Sequence, residues 1–270
     1  MMRSADVSRR SFLTGIGGAV AGAAFAAAPR PFAQAPQVSA LPIVTKRVER
    51  LFTIAGCRQP NDIGFAPDGL WVIDQVDPNK AFKVDTRNGS VIQEIQTESY
   101  HGSGITYGNG ALWITSTQMS DPKLPPRTLK VDPRTGKTLK SWITPGAGRM
   151  NHVGAGPYPS GGHGLKWVDG KYWMAVPPSG KIYLVEPETG EPLRSIPAPG
   201  PGTHGLAWDN GALWCIEYND RAIYKLDIAN GRPLAKILIA KSDPDPHGLD
   251  IRDGVLWYTD TATGLICRLV

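Results

Sequence analysis

Cysteine is scarce in this chain: 270 residues carry three, Cys57, Cys215 and Cys267, an odd count with no CxxC pair. That spacing excludes a zinc knuckle and a disulfide-rich scaffold and leaves room for at most one disulfide among the three. Long apolar runs are missing too. The N-terminal small-apolar stretch from Gly15 to Ala28 is shorter than the ~20 residues that cross a bilayer, so no membrane anchor is expected in the mature form. Excess charge of one sign is also small. Of the formal +5, Arg3, Arg9, Arg10 and Arg30 against Asp6 supply +3, which leaves +2 for the rest and gives no argument for a nucleic-acid partner. Glycine (31) and proline (24) are plentiful, which favours many turns over long helices and points to an all-β domain.

The first segment has its own logic. Ser8-Arg9-Arg10-Ser11-Phe12-Leu13 followed by the small apolar stretch is the layout of a twin-arginine export signal, read here over residues 1–35. Ala24-Phe25-Ala26 and Ala33-Gln34-Ala35 both offer small-x-small cleavage patterns. The expected product is a soluble periplasmic or secreted protein, exported already folded, with residues 36–44 as linker and 45–270 as one domain.

Self-comparison of that domain reveals a repeat of about 40 residues, the period of propellers and solenoids. Five segments align on a tryptophan: NDIGFAPDGLWVID, SGITYGNGALWITS, HGLKWVDGKYWMAV, HGLAWDNGALWCIE and HGLDIRDGVLWYTD, with Trp71, Trp113, Trp173, Trp214 and Trp257 equivalent. Each reads as two short strands around a polar turn. A third strand and a turn such as Asp85-Thr-Arg-Asn-Gly89 or Asp132-Pro-Arg-Thr-Gly136 then lead to a fourth strand. Four strands per repeat make a propeller blade. The fifth repeat ends one strand short at Val270, and Arg47 to Ala55 matches the missing outer strand. The expectation is therefore a five-bladed β-propeller, its last blade closed by the N-terminal strand of the mature chain, with two sheet edges hidden by that closure.

Blade direction converts positions into faces. The residue opening each first strand is Asn61, Ser103, His163, His204 and His247; the residue closing each second strand is Asp74, Ser116, Val176, Glu217 and Asp260. Both sets belong to one rim, the mouth of the axial channel. Two insertions, Ser116 to Arg127 and Gly146 to Gly162, fall on the same rim and bring Arg149, Asn151, His152 and Tyr158 over the mouth. Imidazoles and carboxylates converging there suit a divalent cation, and one histidine could instead serve as a general base. A purely structural His-Gly start to the strand, copied by duplication, is the competing explanation.

The segments THGLAWDNGALWCIEYNDRAIYKLD and PHGLDIRDGVLWYTD resemble the repeats of the virginiamycin B (streptogramin) lyase family, with their His-Gly strand, Gly/Asp turn, Leu-Trp and following acid. The likeness is good over blades three to five; over blades one and two it is confined to turn and tryptophan. It implies a propeller that binds magnesium at its channel mouth and uses a histidine base in an elimination that opens an ester. Here the base would be His204 or His247, and the metal-associated acid Glu217, with His163 or His204 assisting; position on the rim adds Asp260 as a candidate metal ligand and Asn61, Asp74, Arg149, Asn151, His152 and Tyr158 as candidate substrate contacts. Streptogramin lyases have seven blades against the five counted here. A five-bladed ring is similar also to the glutaminyl cyclase type of propeller, without its hallmark residues. Two functions follow as expectations: a metal-assisted lyase or hydrolase, monomeric, acting on a small ester or lactone; or a non-catalytic propeller that binds a glycan, peptide or protein partner.

Overall fold

Each tryptophan-centred segment folds as an antiparallel hairpin around a tight turn, and a third and fourth strand extend it into a four-stranded sheet. The computed structural model describes residues 40–150 and 158–270, and Ala40–Val270 form one compact unit. Five such sheets make the five blades. Blade one runs outward as Pro60–Ala66, Gly69–Asp74, Lys80–Val84 and Val91–Gln96. Blades two, three and four repeat that order from the inner strands Gly102–Gly108, Gly164–Val168 and Thr203–Asp209. In blade five Leu249–Arg252, Val255–Thr259 and Leu265–Leu269 come from the C-terminal end of the chain, and Val48–Thr53 supplies the outer strand.

That closure matches the sequence expectation. Val48 pairs with Leu269 and Phe52 with Ile266, and Arg47 and Val270 exchange both backbone hydrogen bonds at 2.9 and 3.0 Å. Residues 42–44, read from sequence as linker, continue the structure instead. Val44 N–H donates to Lys236 O (2.8 Å) and Lys236 N–H to Pro42 O (2.9 Å), so this stretch covers the outer edge of blade four.

Local chemistry explains the repeated turns. Asp85, Asp132 and Asp227 each accept a hydrogen bond from the backbone N–H two residues on, and the closing glycines adopt positive φ, as at Gly89 (+77°) and Gly231 (+77°). All five repeat tryptophans are buried between blades. The three thiols are free, and Cys215 and Cys267 are buried within the sheets.

The axis of the ring is nearly closed by its own backbone. One residue below the rim, four blades carry glycine: Gly104, Gly164, Gly205 and Gly248. A Cβ on Gly164 would lie 2.3 Å from His204 O, one on Gly205 2.3 Å from Leu249 N, and one on Gly248 2.3 Å from Asp62 Cα. Only one side chain fits that layer, and blade one supplies it as Asp62. Its carboxylate accepts hydrogen bonds from the backbone N–H groups of Ile105 (3.1 Å), Leu165 (3.4 Å) and Leu249 (3.0 Å), on blades two, three and five. Burial raises its pKa well above the ordinary carboxylate range, while those N–H groups and that of Ile63 pull it down. Two residues further down, Lys166 of blade three forms an ion pair with buried Asp250 of blade five. The channel is thus plugged below its mouth.

Because the atoms facing Gly205 are backbone of the neighbouring blade, Gly205→Ala cannot be relieved by a rotamer change. The expected cost is ~1–3 kcal/mol, read as a lower urea midpoint at unchanged slope.

Candidate functional site

The first strands of blades three, four and five begin with His163, His204 and His247, and the ring brings these imidazoles side by side. Ring centroids are 4.6 Å apart for His163 and His204 and 4.3 Å for His204 and His247. Strand pairing breaks register at this level in three blades, between Pro60 and Asp62, Gly102 and Ile105, and Thr203 and Leu206. Such a bulge re-aims side chains, so that successive residues can both turn toward the axis. On the remaining two blades Ser103 donates its hydroxyl to Asn61 Oδ1 (2.6 Å) and completes the ring.

Hydrogen bonds set the state of each imidazole. His204 Nδ1 lies 2.9 Å from the carbonyl oxygen of Gly202, so it carries the proton, and in the neutral ring Nε2 keeps the lone pair. That Nε2 is 3.0 Å from His163 Nδ1, which must then donate. His163 Nε2 is left as the acceptor for the Ser160 hydroxyl at 2.8 Å. A directed run results, from Ser160 through His163 and His204 to the Gly202 carbonyl. His247 is tied separately: its Nδ1 donates to the Asn61 carbonyl (3.0 Å), which leaves the Nε2 lone pair available at neutral pH.

Burial, and next the neighbouring His204, lower the pKa of His247 to about 3, against a backbone bond that raises it. An unfolded imidazole takes up its proton near 6.5, so between those values the unfolded state binds more protons than the folded one. The sign follows. Stability from this site is complete above about pH 6.5 and declines as pH falls toward 3. Urea midpoints should drop over that range, and His247→Gln should flatten the drop; ring NMR shifts of His247 that stay constant from pH 8 to pH 5 are expected alongside.

The carboxylates of the rim have other duties. Glu217 Oε1 accepts from the backbone N–H of Gly202 (3.0 Å) and Asn219 (3.3 Å), and so fixes the loop that presents the Gly202 carbonyl to His204. Asp74 accepts from the N–H groups of Arg58, Gln59 and Val76, and Asp260 from those of Ala262 and Thr263 and from the Thr263 hydroxyl. Glu217 Oε2 is buried without a hydrogen-bond partner among the described residues, and burial raises the pKa of its carboxyl. A cation would suit that oxygen. Yet His163, Glu217 and Asp260 do not converge as a ligand set, and among the described residues no three His, Cys, Asp or Glu side chains are grouped to hold a metal ion.

Of the other residues read from the sequence, Asn61 is buried in the ring, Arg149 is exposed, and Asn151 and His152 lie outside the described residues. Tyr158 is half exposed where the two insertions meet, and with Tyr100, Gln118, Met119, Ser120 and Leu124 it lines a cavity of about 160 Å³. Three residues outside those readings also take part. Tyr218 packs against His204 (5.8 Å between centroids) and His247 (5.9 Å), Ser160 sits in the insertion, and Asp62 replaces the axial glycine.

No protein-family model matches the chain, and no curated protein matches it. Among solved structures, glutaminyl cyclase from Myxococcus xanthus superposes with a TM-score of 0.61 at 10% identity, over 84% of this chain and 97% of that one. Virginiamycin B lyase from Staphylococcus aureus gives 0.47 at 19% identity, over 78% of this chain and 66% of that one. A streptogramin B lyase gives 0.47 at 14% identity, over 83% and 97% respectively. At such identities the likeness is one of fold. What the superposition on glutaminyl cyclase establishes is the β-propeller fold.

Proposed function

We propose that this chain is an exported enzyme whose channel-mouth imidazoles transfer protons on a small ester or lactone, acting as a lyase or a hydrolase. The observation that carries this reading is the directed hydrogen-bond run from Ser160 through His163 and His204 to the Gly202 carbonyl. A proton leaving a substrate or a hydroxyl at the Ser160 end meets a lone pair already aimed at it, and the positive charge that forms is shared by a second imidazole. His204 is central, because it touches both neighbouring imidazoles. His247, with a pKa of about 3, is too weak a base to drive proton abstraction alone at neutral pH, and it serves better as a polar wall with a lone pair facing the mouth. The ester or lactone class is supported by the resemblance of the THGLAW and PHGLDI segments to streptogramin lyase repeats. Arg149 and Tyr158, with Asn151 and His152, are proposed to contact that substrate. The twin-arginine layout of residues 1–35 supports action outside the cytoplasm, and the exported product is proposed to be a monomer.

A second reading has its own observation. Tyr100, Leu124 and Tyr158 are 43%, 49% and 51% exposed around the rim cavity, which Gln118 and Ser120 also line, a mix of large side chains and hydrogen-bonding groups suited to gripping a ligand without reaction. Incubating purified protein with a panel of esters and lactones in ¹⁸O-labelled water separates the possibilities. Hydrolysis places the label in the carboxylate product, and elimination releases that carboxylate unlabelled. Turnover of at least one compound is expected; none, with calorimetric binding of the same compounds, replaces the enzyme by the binding protein.

A further inference from the structure

We propose that Ser160 is a nucleophile, activated by His163 with His204 behind it, and that the substrates are carboxylic esters cleaved through an acyl-serine intermediate. This rests on the proton-transfer reading above and narrows it from lyase or hydrolase to hydrolase.

The placement of Ser160 supports the assignment first. It lies in an insertion, yet its backbone is held by a two-bond bridge to Gly148, with N–H donating at 2.7 Å and C=O accepting at 3.1 Å. His163 is likewise fixed, its N–H donating to Ala175 O at 2.9 Å. A nucleophile and base held within hydrogen-bond reach, with the base oriented by a third group, is the arrangement that nucleophilic catalysis needs. Here a second imidazole orients the base, and the Gly202 carbonyl orients that imidazole in turn. Glu217 contributes by anchoring the Gly202 loop, which makes it a positioning residue.

The neighbourhood gives the substrate class. Ser160 is half-buried, and the two residues before it, Tyr158 and Pro159, line the cavity with Tyr100, Met119 and Leu124. With the Gln118 amide and the Ser120 hydroxyl also in its lining, that cavity mixes hydrogen-bonding groups with aromatic and aliphatic side chains, and would receive an acyl or alcohol portion that carries polar groups beside its carbon skeleton.

The step balances. Ser160 Oγ bonds to the ester carbonyl carbon as its proton passes to His163 Nε2. Collapse of the tetrahedral adduct breaks the bond between that carbon and the alkoxy oxygen, which leaves with the proton from His163. Water then attacks the acyl-serine, gives its proton to the same nitrogen, and Ser160 departs by taking it back. The sum is ester and water to acid and alcohol.

An alkyl fluorophosphonate tests this on the unaltered protein, since it traps an activated serine by forming an Oγ–P bond with loss of fluoride. Peptide mass mapping should find one adduct, on Ser160, and none in Ser160→Ala. In His163→Ala, with the fold checked by circular dichroism, the labelling rate should fall by roughly 10²-fold or more. No adduct on Ser160, or an unchanged rate in folded His163→Ala, overturns the assignment. Ester turnover that Ser160→Ala retains overturns it as well, while leaving the proton-transfer reading intact. Absence of both adduct and turnover removes both.

Discussion

Asp62→Ala is expected to leave a protein that barely folds. The carboxylate of Asp62 is the shared acceptor for backbone N–H groups on three other blades, in a layer where the glycine backbones leave no space for another side chain. Removing it strands two or three buried donors at ~1–3 kcal/mol each, a loss of about 3–6 kcal/mol. Against a total stability of ~5–15 kcal/mol for a typical domain, that is most of the margin. Asp62→Asn keeps one acceptor oxygen but turns an amide N–H toward the remaining donors, so an intermediate loss is expected. Urea unfolding monitored by tryptophan fluorescence measures both. Midpoints close to the unaltered protein for Asp62→Ala would mean that the axis is not held together by this side chain.

Asp62 also shows where sequence reading stops. The five-fold repeat, the four strands per blade and the closing N-terminal strand were all legible, because hairpin turns, alternation and a recurring tryptophan are local patterns that duplication preserves. The shared rim of His163, His204 and His247 was legible for the same reason: equivalent positions in a ring meet at one end. What the repeat could not convey is the radius of the ring. That Asn61-Asp62 stands where three other blades have His-Gly and blade two has Ser103-Gly104 is visible in the alignment, but only a channel narrow enough to bring four glycine backbones into contact turns the odd residue into a hub. The acids closing the second strands illustrate a different limit. Asp74, Glu217 and Asp260 lie at rim positions, yet each finds unpaired N–H groups of an adjoining loop nearer than the axis, and the obligation to satisfy buried donors decides their direction. Ser160 lies in an insertion with no equivalent in other blades, so no periodicity could single it out.

His204→Ala is expected to have the largest effect on activity. The substitution removes the imidazole that accepts from His163 Nδ1 and donates to Gly202 O, so His163 loses its orienting partner and the group that shares its charge. Loss of a positioned acid–base group lowers rates by ~10²–10⁴, equivalent to about 3–5 kcal/mol of transition-state stabilisation. Stability should fall as well, by ~1–3 kcal/mol, because His204 is buried against the imidazoles of the two neighbouring blades and its loss removes the inter-blade hydrogen bond with His163.

The most direct measurement is kcat/KM of the unaltered protein and of His204→Ala on whichever ester or lactone is turned over, with folding of both verified by thermal melting. A fall of at least ~10² with the fold retained is the expected result. Rates within a few-fold of each other would contradict a proton-transfer centre at the channel mouth.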